Sequence, residues 1–121
     1  MTAIGIGIVG GGYMGKAHSV AMAAVGAVFE TRLRPRLEMI CASSAQSAEH
    51  YRQAFGFERG TDDWRILVDD PRVEAVVIAT PQSLHRDIAQ AAFERGKPVF
   101  CEKPLGANLA DSRAMVAAAE A

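Results

Sequence analysis

Short runs of β-branched and other apolar residues alternate along the chain with longer segments whose apolar residues recur at helical spacing. The short runs predict strands at residues 4–9, 37–42, 57–60, 73–79 and 99–101. The longer segments predict helices at residues 13–25, 46–55, 81–95 and 109–121, and a short helix through Val68 that Asp62 or Asp63 can cap. Regular alternation of this kind is typical of an α/β fold, in which crossover helices cover both faces of a doubly wound parallel sheet.

Glycine, proline and capping residues set the predicted boundaries of these elements. Gly26 is expected to end the first helix. Pro35 lies in an arginine-rich segment that predicts an extended excursion before the second strand. Thr80 is expected to cap the fourth helix, with Pro81 at its first helical position, where a missing N–H costs nothing. Asn108 is expected to cap the last helix.

The glycine pattern GxGxxG occurs in two overlapping registers, Gly5-Gly7-Gly10 and Gly10-Gly12-Gly15. The first is interleaved with the apolar residues of the first strand, and no helix begins after it. The second follows that strand and opens a helix, which is the setting that a dinucleotide pyrophosphate requires. In that register Gly10 allows a tight turn, Gly12 a close approach of the phosphates, and Gly15 close packing of helix on strand. The alternative is a glycine-rich turn that binds no ligand.

The residue at the end of the second strand bears on which dinucleotide is bound. In a Rossmann fold an acidic residue there accepts hydrogen bonds from the adenosine ribose and repels a 2'-phosphate. Ser43 occupies this position and Ser44 follows it, so NADP or dual use is favoured over strict NAD use. Arg34 and Arg36 precede the strand, and Arg52 lies well into the next helix. The cofactor is therefore written NAD(P), and the serines are equally compatible with a turn or a helix cap.

Three motifs together resemble the Gfo/Idh/MocA oxidoreductase family, which includes glucose-fructose oxidoreductase and inositol dehydrogenases. The resemblance spans essentially the whole chain, and the second and third motifs are the more specific. The motifs are Ile6-Gly7-Ile8-Val9-Gly10-Gly11-Gly12-Tyr13-Met14-Gly15, Ala79-Thr80-Pro81-Gln82-Ser83-Leu84-His85 and Cys101-Glu102-Lys103-Pro104-Leu105.

The resemblance implies a set of site residues at the carboxyl ends of the strands, where open α/β sheets bind ligands. Lys103 matches the family's active-site lysine, although a lysine is ordinarily a solvated surface residue. As an ammonium group it would stabilise the alkoxide that develops on the substrate. The expected cofactor-binding residues are Gly10, Gly12, Tyr13, Met14, Gly15, Ser43, Ser44, Ala79, Thr80, Pro81, His85, Glu102 and Lys103.

The remaining histidines are expected to have no part in this site. His18 lies on the first predicted helix and His50 on the second, and both are interpreted as structural or solvated residues away from the crevice. His85 is expected on the cofactor side, without a catalytic role, and the alternatives are an exposed residue or a local hydrogen-bond partner. The Lys103-Pro104 bond is compatible with a cis geometry. No metal site is indicated.

Composition limits the class of protein and its partners. The 121 residues suit one domain, and 50% hydrophobic with 22% charged residues is the balance of a globular chain. A formal charge of -1 offers no basic field for nucleic acid, and glycines break the only early apolar stretch, so no membrane span or signal peptide is expected. Cys41 and Cys101 fall on separate strands, too far apart to pair, which predicts free thiols and a cytoplasmic location.

The resemblance implies an NAD(P)-dependent dehydrogenase of a secondary alcohol on a sugar, inositol or related polyol. Family members also have a carboxy-terminal substrate domain, which we do not find in residues 1–121, so the chain is expected to be the cofactor domain alone, inactive by itself. An uncovered fifth strand would then favour self-association. The alternatives are a non-catalytic nucleotide-binding sensor or regulatory module, and another Rossmann enzyme resembling dihydrodipicolinate reductase or aspartate-semialdehyde dehydrogenase.

Overall fold

The computed structural model describes residues 2–121 and contains one parallel sheet with helices on both faces. The five strands lie in the order β3-β2-β1-β4-β5, so that the order reverses between β1 and β4. A short 3-10 helix, Gln82–Leu84, precedes α4. In chain order the elements are β1 Thr2–Val9, α1 Tyr13–Val28, β2 Leu33–Cys41, α2 Ala45–Phe55, β3 Arg59–Thr61, α3 Trp64–Asp69, β4 Ala75–Ile78, α4 His85–Glu94, β5 Val99–Cys101 and α5 Leu109–Glu120.

Two apolar clusters lie on opposite faces of the sheet, which is why the strands are nearly continuous hydrophobic runs. One cluster packs α3, α4 and α5 on the sheet, with Leu67, Ile88 and Met115 at most 3% exposed. The other packs α1 and α2 on the opposite face, with Met22 and Phe55 against the sheet core. The predicted doubly wound α/β fold is confirmed.

The first helix continues past its predicted end at Gly26 to Val28. The prediction was wrong because Gly26 here makes room for a neighbouring side chain instead of ending the helix. Arg34 packs against the open face of Gly26, and its guanidinium donates a hydrogen bond to the Gly26 carbonyl oxygen at 3.1 Å. A longer residue at this position would displace that arginine.

The second strand begins at Leu33, before the predicted excursion ends. Pro35 lies inside β2 and is paired with Ile4 of β1. It is tolerated because β3 joins β2 only from Met39 onward, so this part of β2 has a neighbour on one side within the described residues. Proline is confined to such edge positions because it cannot donate to a second ladder.

The fourth helix begins at His85, later than predicted. Pro81 has an extended backbone with ψ of 144°, so it stands before the 3-10 turn and is not the first helical residue. The Thr80 hydroxyl donates to the Pro81 carbonyl oxygen at 3.1 Å and does not cap a helix. Asn108 does cap α5, since its Oδ1 accepts from the Asp111 N–H at 2.8 Å.

Two further expectations concern the cysteines and the membrane. Cys41 and Cys101 are both free thiols, as predicted. Among the helices of residues 2–121, none combines the length and apolar character that crossing a bilayer demands.

Candidate functional site

The glycine turn joins β1 to α1 at the point where the strand order reverses, and Gly5 and Gly7 of the discarded register lie inside β1. Gly10 has φ of +111°, a left-handed conformation that favours glycine. Its N–H donates to the Cys41 carbonyl oxygen at 2.8 Å. A Cβ on Gly15 would collide with the Gly10 carbonyl oxygen, so the helix packs directly on the turn.

The amino terminus of α1 is open to a ligand. A Cβ built on Gly12 meets no atom within 4 Å, and Gly12 provides no side-chain cap. The first turn of α1 also contains no acidic residue. In contrast, Ser44, Asp63 and Asn108 cap α2, α3 and α5 through their side-chain oxygens. The first N–H groups of α1 and the positive end of its dipole therefore face open space, as an anion-binding turn requires.

A cavity of about 500 Å³ extends from this turn across the carboxyl ends of the strands, within the usual size range of ligand sites. The glycine turn, the end of β2 and the loop after β4 enclose it. It is lined by Val9, Gly10, Gly11, Gly12, Cys41, Ala42, Ser43, Ser47, Tyr51, Asp62, Trp64, Ala79, Thr80, Pro81 and Leu84.

Six of the residues predicted to bind the cofactor line this cavity: Gly10, Gly12, Ser43, Ala79, Thr80 and Pro81. Three others lie at the start of α1 beside it. Tyr13 is 87% exposed and Met14 is 38% exposed, whereas Gly15 is buried against the turn. The two serines have separate places, because Ser43 faces the cavity while the Ser44 hydroxyl accepts from the Ser47 N–H at 3.1 Å and caps α2.

His85 lies beneath the cavity and does not line it. The side chain is 1% exposed. Its Nε2 is 3.0 Å from the Thr80 carbonyl oxygen, and its Nδ1 is 3.0 Å from the carbonyl oxygens of Pro104 and Leu105. The ring thus joins the loop after β4 to the loop after β5, so it positions both loops from behind.

His18 does not line the cavity, but it contacts Glu102, one of the residues predicted to bind the cofactor. Its Nε2 lies 2.9 Å from Glu102 Oε1, and its ring packs edge-on against Phe100 with centroids 5.1 Å apart. Both partners are partly buried, at 16% and 18% exposure. The pair connects the phosphate-side helix to the segment just before Lys103. The available signal was the spacing from Gly15, since a residue three positions further along a helix shares its buried face.

Lys103 follows β5 and is exposed. The Glu102 N–H donates to the Ile78 carbonyl oxygen at 2.9 Å, so the sheet ladder holds the chain up to the residue before the lysine. The Lys103-Pro104 bond is cis. Lys103 therefore begins a loop that is anchored on one side by the sheet and on the other by His85.

The sequence reasoning missed the residues that form the far wall of the cavity. Tyr51 comes from α2, and its ring covers Gly11 and stacks on Phe55 with centroids 5.4 Å apart. Trp64 and Asp62 come from the segment after β3. An aromatic residue in a short amphipathic helix normally indicates core packing. That these residues line the cavity follows only from the strand order.

These features define a class of protein, a Rossmann domain with an open glycine turn at the switch point of its sheet. The chain belongs to the Gfo/Idh/MocA oxidoreductase family. The family model, described as an oxidoreductase family with an NAD-binding Rossmann fold, matches residues 4–121. The family that the three motifs predicted is confirmed.

Individual relatives agree with this assignment. Levoglucosan dehydrogenase of Pseudarthrobacter phenanthrenivorans is 44% identical over 95% of this chain and 30% of its own length. Inositol 2-dehydrogenase 1 of Saccharopolyspora erythraea is 36% identical over 93% of this chain and 32% of its own length. A structure of levoglucosan dehydrogenase in complex with NADH superposes with a TM-score of 0.95 and 43% identity, over 98% of this chain and 32% of that one.

The chain thus spans about 30% of the length of these curated relatives. The matched part is the cofactor-binding domain of an oxidoreductase. Because the relatives are dehydrogenases, they give no support to a non-catalytic sensor module.

Proposed function

We propose that this domain binds a nicotinamide dinucleotide for a dehydrogenase that oxidises a secondary alcohol on a sugar, inositol or related polyol. The observation that carries the proposal is the open glycine turn: Gly12 leaves free space in front of the uncapped amino terminus of α1. The names of the relatives support the substrate class, since they include levoglucosan and inositol dehydrogenases.

The residues present fit such a cofactor. The first N–H groups of α1 would hold the pyrophosphate, and Tyr51, Trp64 and Ser43 would surround the adenosine end of the cavity. Thr80 and Pro81, which line the cavity, would lie along the nicotinamide side. Glu102, directly after β5, would approach the ring. The bound nicotinamide would supply the hydride-accepting chemistry.

Lys103 is the residue proposed to act on the substrate. Its ammonium group would donate a hydrogen bond to the substrate oxygen and stabilise the negative charge that develops there when a general base of the substrate domain takes the hydroxyl proton. His85 would act through the backbone by holding the loop that carries Lys103. His18 would hold the carboxylate of Glu102 in place.

The proposal is tested by oxidation of levoglucosan and myo-inositol with NAD⁺ or NADP⁺, using the protein as expressed from its gene and following formation of the reduced cofactor. We expect Lys103→Met to lower kcat by about 10²–10⁴-fold. The affinity for reduced cofactor is expected to change far less. The conservative variant Lys103→Arg keeps the charge and should retain more activity than Lys103→Met. Equal activity in the wild type and Lys103→Met would contradict the role.

We also propose that the domain self-associates when it is isolated. In residues 2–121, β5 is an edge strand of the sheet, and Phe100 on it is 55% exposed. Exposed edges and apolar side chains favour pairing with a second chain. Light scattering of the isolated domain should show a mass that rises with concentration, and a constant monomer mass would contradict the proposal.

A further inference from the structure

A negatively charged side chain, Asp62, lines the end of the cavity that is proposed to hold adenosine. It comes from the segment after β3 and not from the end of β2. The end of β2, where a Rossmann fold carries its ribose-selecting residue, has the neutral Ser43. The structure places an acidic side chain beside it, because Asp62 follows β3 and lines the same cavity. This inference rests on the proposed function, since it concerns which nucleotide that cavity accepts.

The strand register explains how Asp62 reaches this position. β2 and β3 are parallel, with Cys41 paired to Thr61. The Ala42 N–H donates to the Thr61 carbonyl oxygen at 3.1 Å, so the two strands end side by side. The first residue after β3 is Asp62, which therefore lies next to the Ala42–Ser43 segment.

The neighbouring acid, Asp63, is already committed to a structural role. Its Oδ1 accepts from the Arg65 N–H at 2.9 Å and caps α3. Asp62 is exposed and faces the cavity instead. The charges of these two acids act on the end of β2. There burial is the main cause that raises the pKa of the Cys41 thiol to about 12, and the charges of Asp63 and Asp62 add to it.

The lining residues of this cavity, within the described chain, include no lysine or arginine to balance that charge. The nearby arginines have other partners. Arg52 donates to both carboxylate oxygens of Glu49, at 2.7 and 2.8 Å. Arg65 packs its guanidinium over the Trp64 ring, 4.5 Å from the centroid. A 2'-phosphate placed here would meet a carboxylate.

We propose that Asp62 is the residue that selects NAD(H) against NADP(H), taking the role that Ser43 does not fill. Its carboxylate would accept a hydrogen bond from the adenosine ribose and repel a 2'-phosphate. This outcome differs from the sequence-based expectation of NADP or dual use. That expectation considered only β2, whereas the discriminating charge comes from the adjacent strand.

The test is a fluorescence titration of the domain with NADH and with NADPH, for the wild type, Asp62→Asn and Glu58→Gln. Glu58 is a matched control, because it is an exposed acid just before β3 while Asp62 directly follows the strand. We expect the wild type to bind NADH at least about tenfold more tightly than NADPH. Asp62→Asn should reduce that ratio by about tenfold, mainly by tightening NADPH binding, and Glu58→Gln should leave it unchanged.

A second readout is the salt dependence of the two affinities. Salt screens like-charge repulsion, so raising the ionic strength should narrow the gap between the two nucleotides in the wild type and not in Asp62→Asn. Equal wild-type affinities, or an unchanged ratio in Asp62→Asn, would overturn the role of Asp62 while leaving nucleotide binding intact. If neither nucleotide binds, the proposed function itself fails and this inference fails with it.

Discussion

Two glycines of the turn, Gly12 and Gly15, have opposite structural requirements although both belong to one motif. The open face of Gly12 has no atom within 4 Å of a built Cβ, whereas Gly15 packs on the Gly10 carbonyl oxygen. Gly15 is therefore required for packing within the fold, and Gly12 leaves space for the ligand. Sequence alone could place both in the motif but could not separate these roles, because the separation depends on what each Cβ would touch.

This difference gives a prediction about stability. Gly15→Ala should lower the free energy of unfolding by about 2–4 kcal/mol, because its methyl group collides with backbone. Gly12→Ala should change it by no more than about 1 kcal/mol, since the new methyl group meets open space. Urea unfolding of the two variants measures this, and equal losses would contradict the geometry.

The Cys41 thiol makes the stability depend on pH at the alkaline end. Burial is the main cause that raises its pKa from about 9 to about 12. Above pH 9 the thiol ionises in the unfolded chain and stays protonated in the folded one, so the unfolded state binds fewer protons. The free energy of unfolding should therefore fall with rising pH, by up to about 1.4 kcal/mol per pH unit from this group.

The measurement compares urea unfolding between pH 8 and pH 10 in the wild type and in Cys41→Ala. Cys41→Ala loses packing energy at every pH. In addition, its free energy of unfolding should fall less steeply with pH, because the thiol is gone. Cys101→Ala should lose nearly as much of the slope over this range, because burial also raises the pKa of that thiol, to about 11. Parallel pH profiles for the wild type and Cys41→Ala would show that the buried thiol does not cause the slope.

At the scale of elements, the sequence predicted the order and type of every strand and helix, while several boundaries depended on tertiary contacts. Gly26 stays helical because Arg34 packs on it. Pro35 stays in β2 because only β1 pairs with that part of the strand. Local propensity indicates glycine as a stop and proline as a break, and it contains no information about such neighbours.

The loops that follow β4 and β5 are joined by one side chain, His85, and this gives a prediction at the element scale. His85→Ala removes a buried ring and its contacts with three carbonyl oxygens, so the free energy of unfolding should fall by about 2–4 kcal/mol. The backbone amides of Leu105 and Gly106 should also exchange hydrogen faster.

The exposed His50 on α2 supplies the control for this substitution. His50→Ala should change the free energy of unfolding by no more than about 0.5 kcal/mol. Urea unfolding and hydrogen exchange of both variants make the comparison. If His85→Ala were as stable as His50→Ala, the ring would not be the link between the two loops.

At the scale of the whole molecule, the site is assembled from segments far apart in sequence. His18 and Glu102 are 84 positions apart and form a 2.9 Å contact. Asp62 acts beside Ser43 only because β3 lies next to β2 in the sheet. The motifs located the glycine turn, Thr80 and Lys103, since these are local signatures. They did not locate Tyr51, Trp64 or Asp62, whose place in the cavity follows from the strand order.

The parallel strand arrangement explains why the cavity lies at the carboxyl ends of the strands. All strands are parallel, so their carboxyl ends lie together, and the reversal of order between β1 and β4 places a crevice there. The glycine turn opens into this crevice. The strand order and the glycine turn together therefore create the space that a bound dinucleotide would occupy.

The most direct test of this account is a calorimetric titration of the 121-residue chain with NADH, with Gly12→Ala as the control. Since the open turn is proposed to hold the pyrophosphate, we predict saturable one-to-one binding to the wild type. Gly12→Ala, which should remain folded, is expected to bind at least about tenfold more weakly. Absence of saturable binding to the wild type, or equal affinity in Gly12→Ala, would contradict the claim that this turn is the cofactor site.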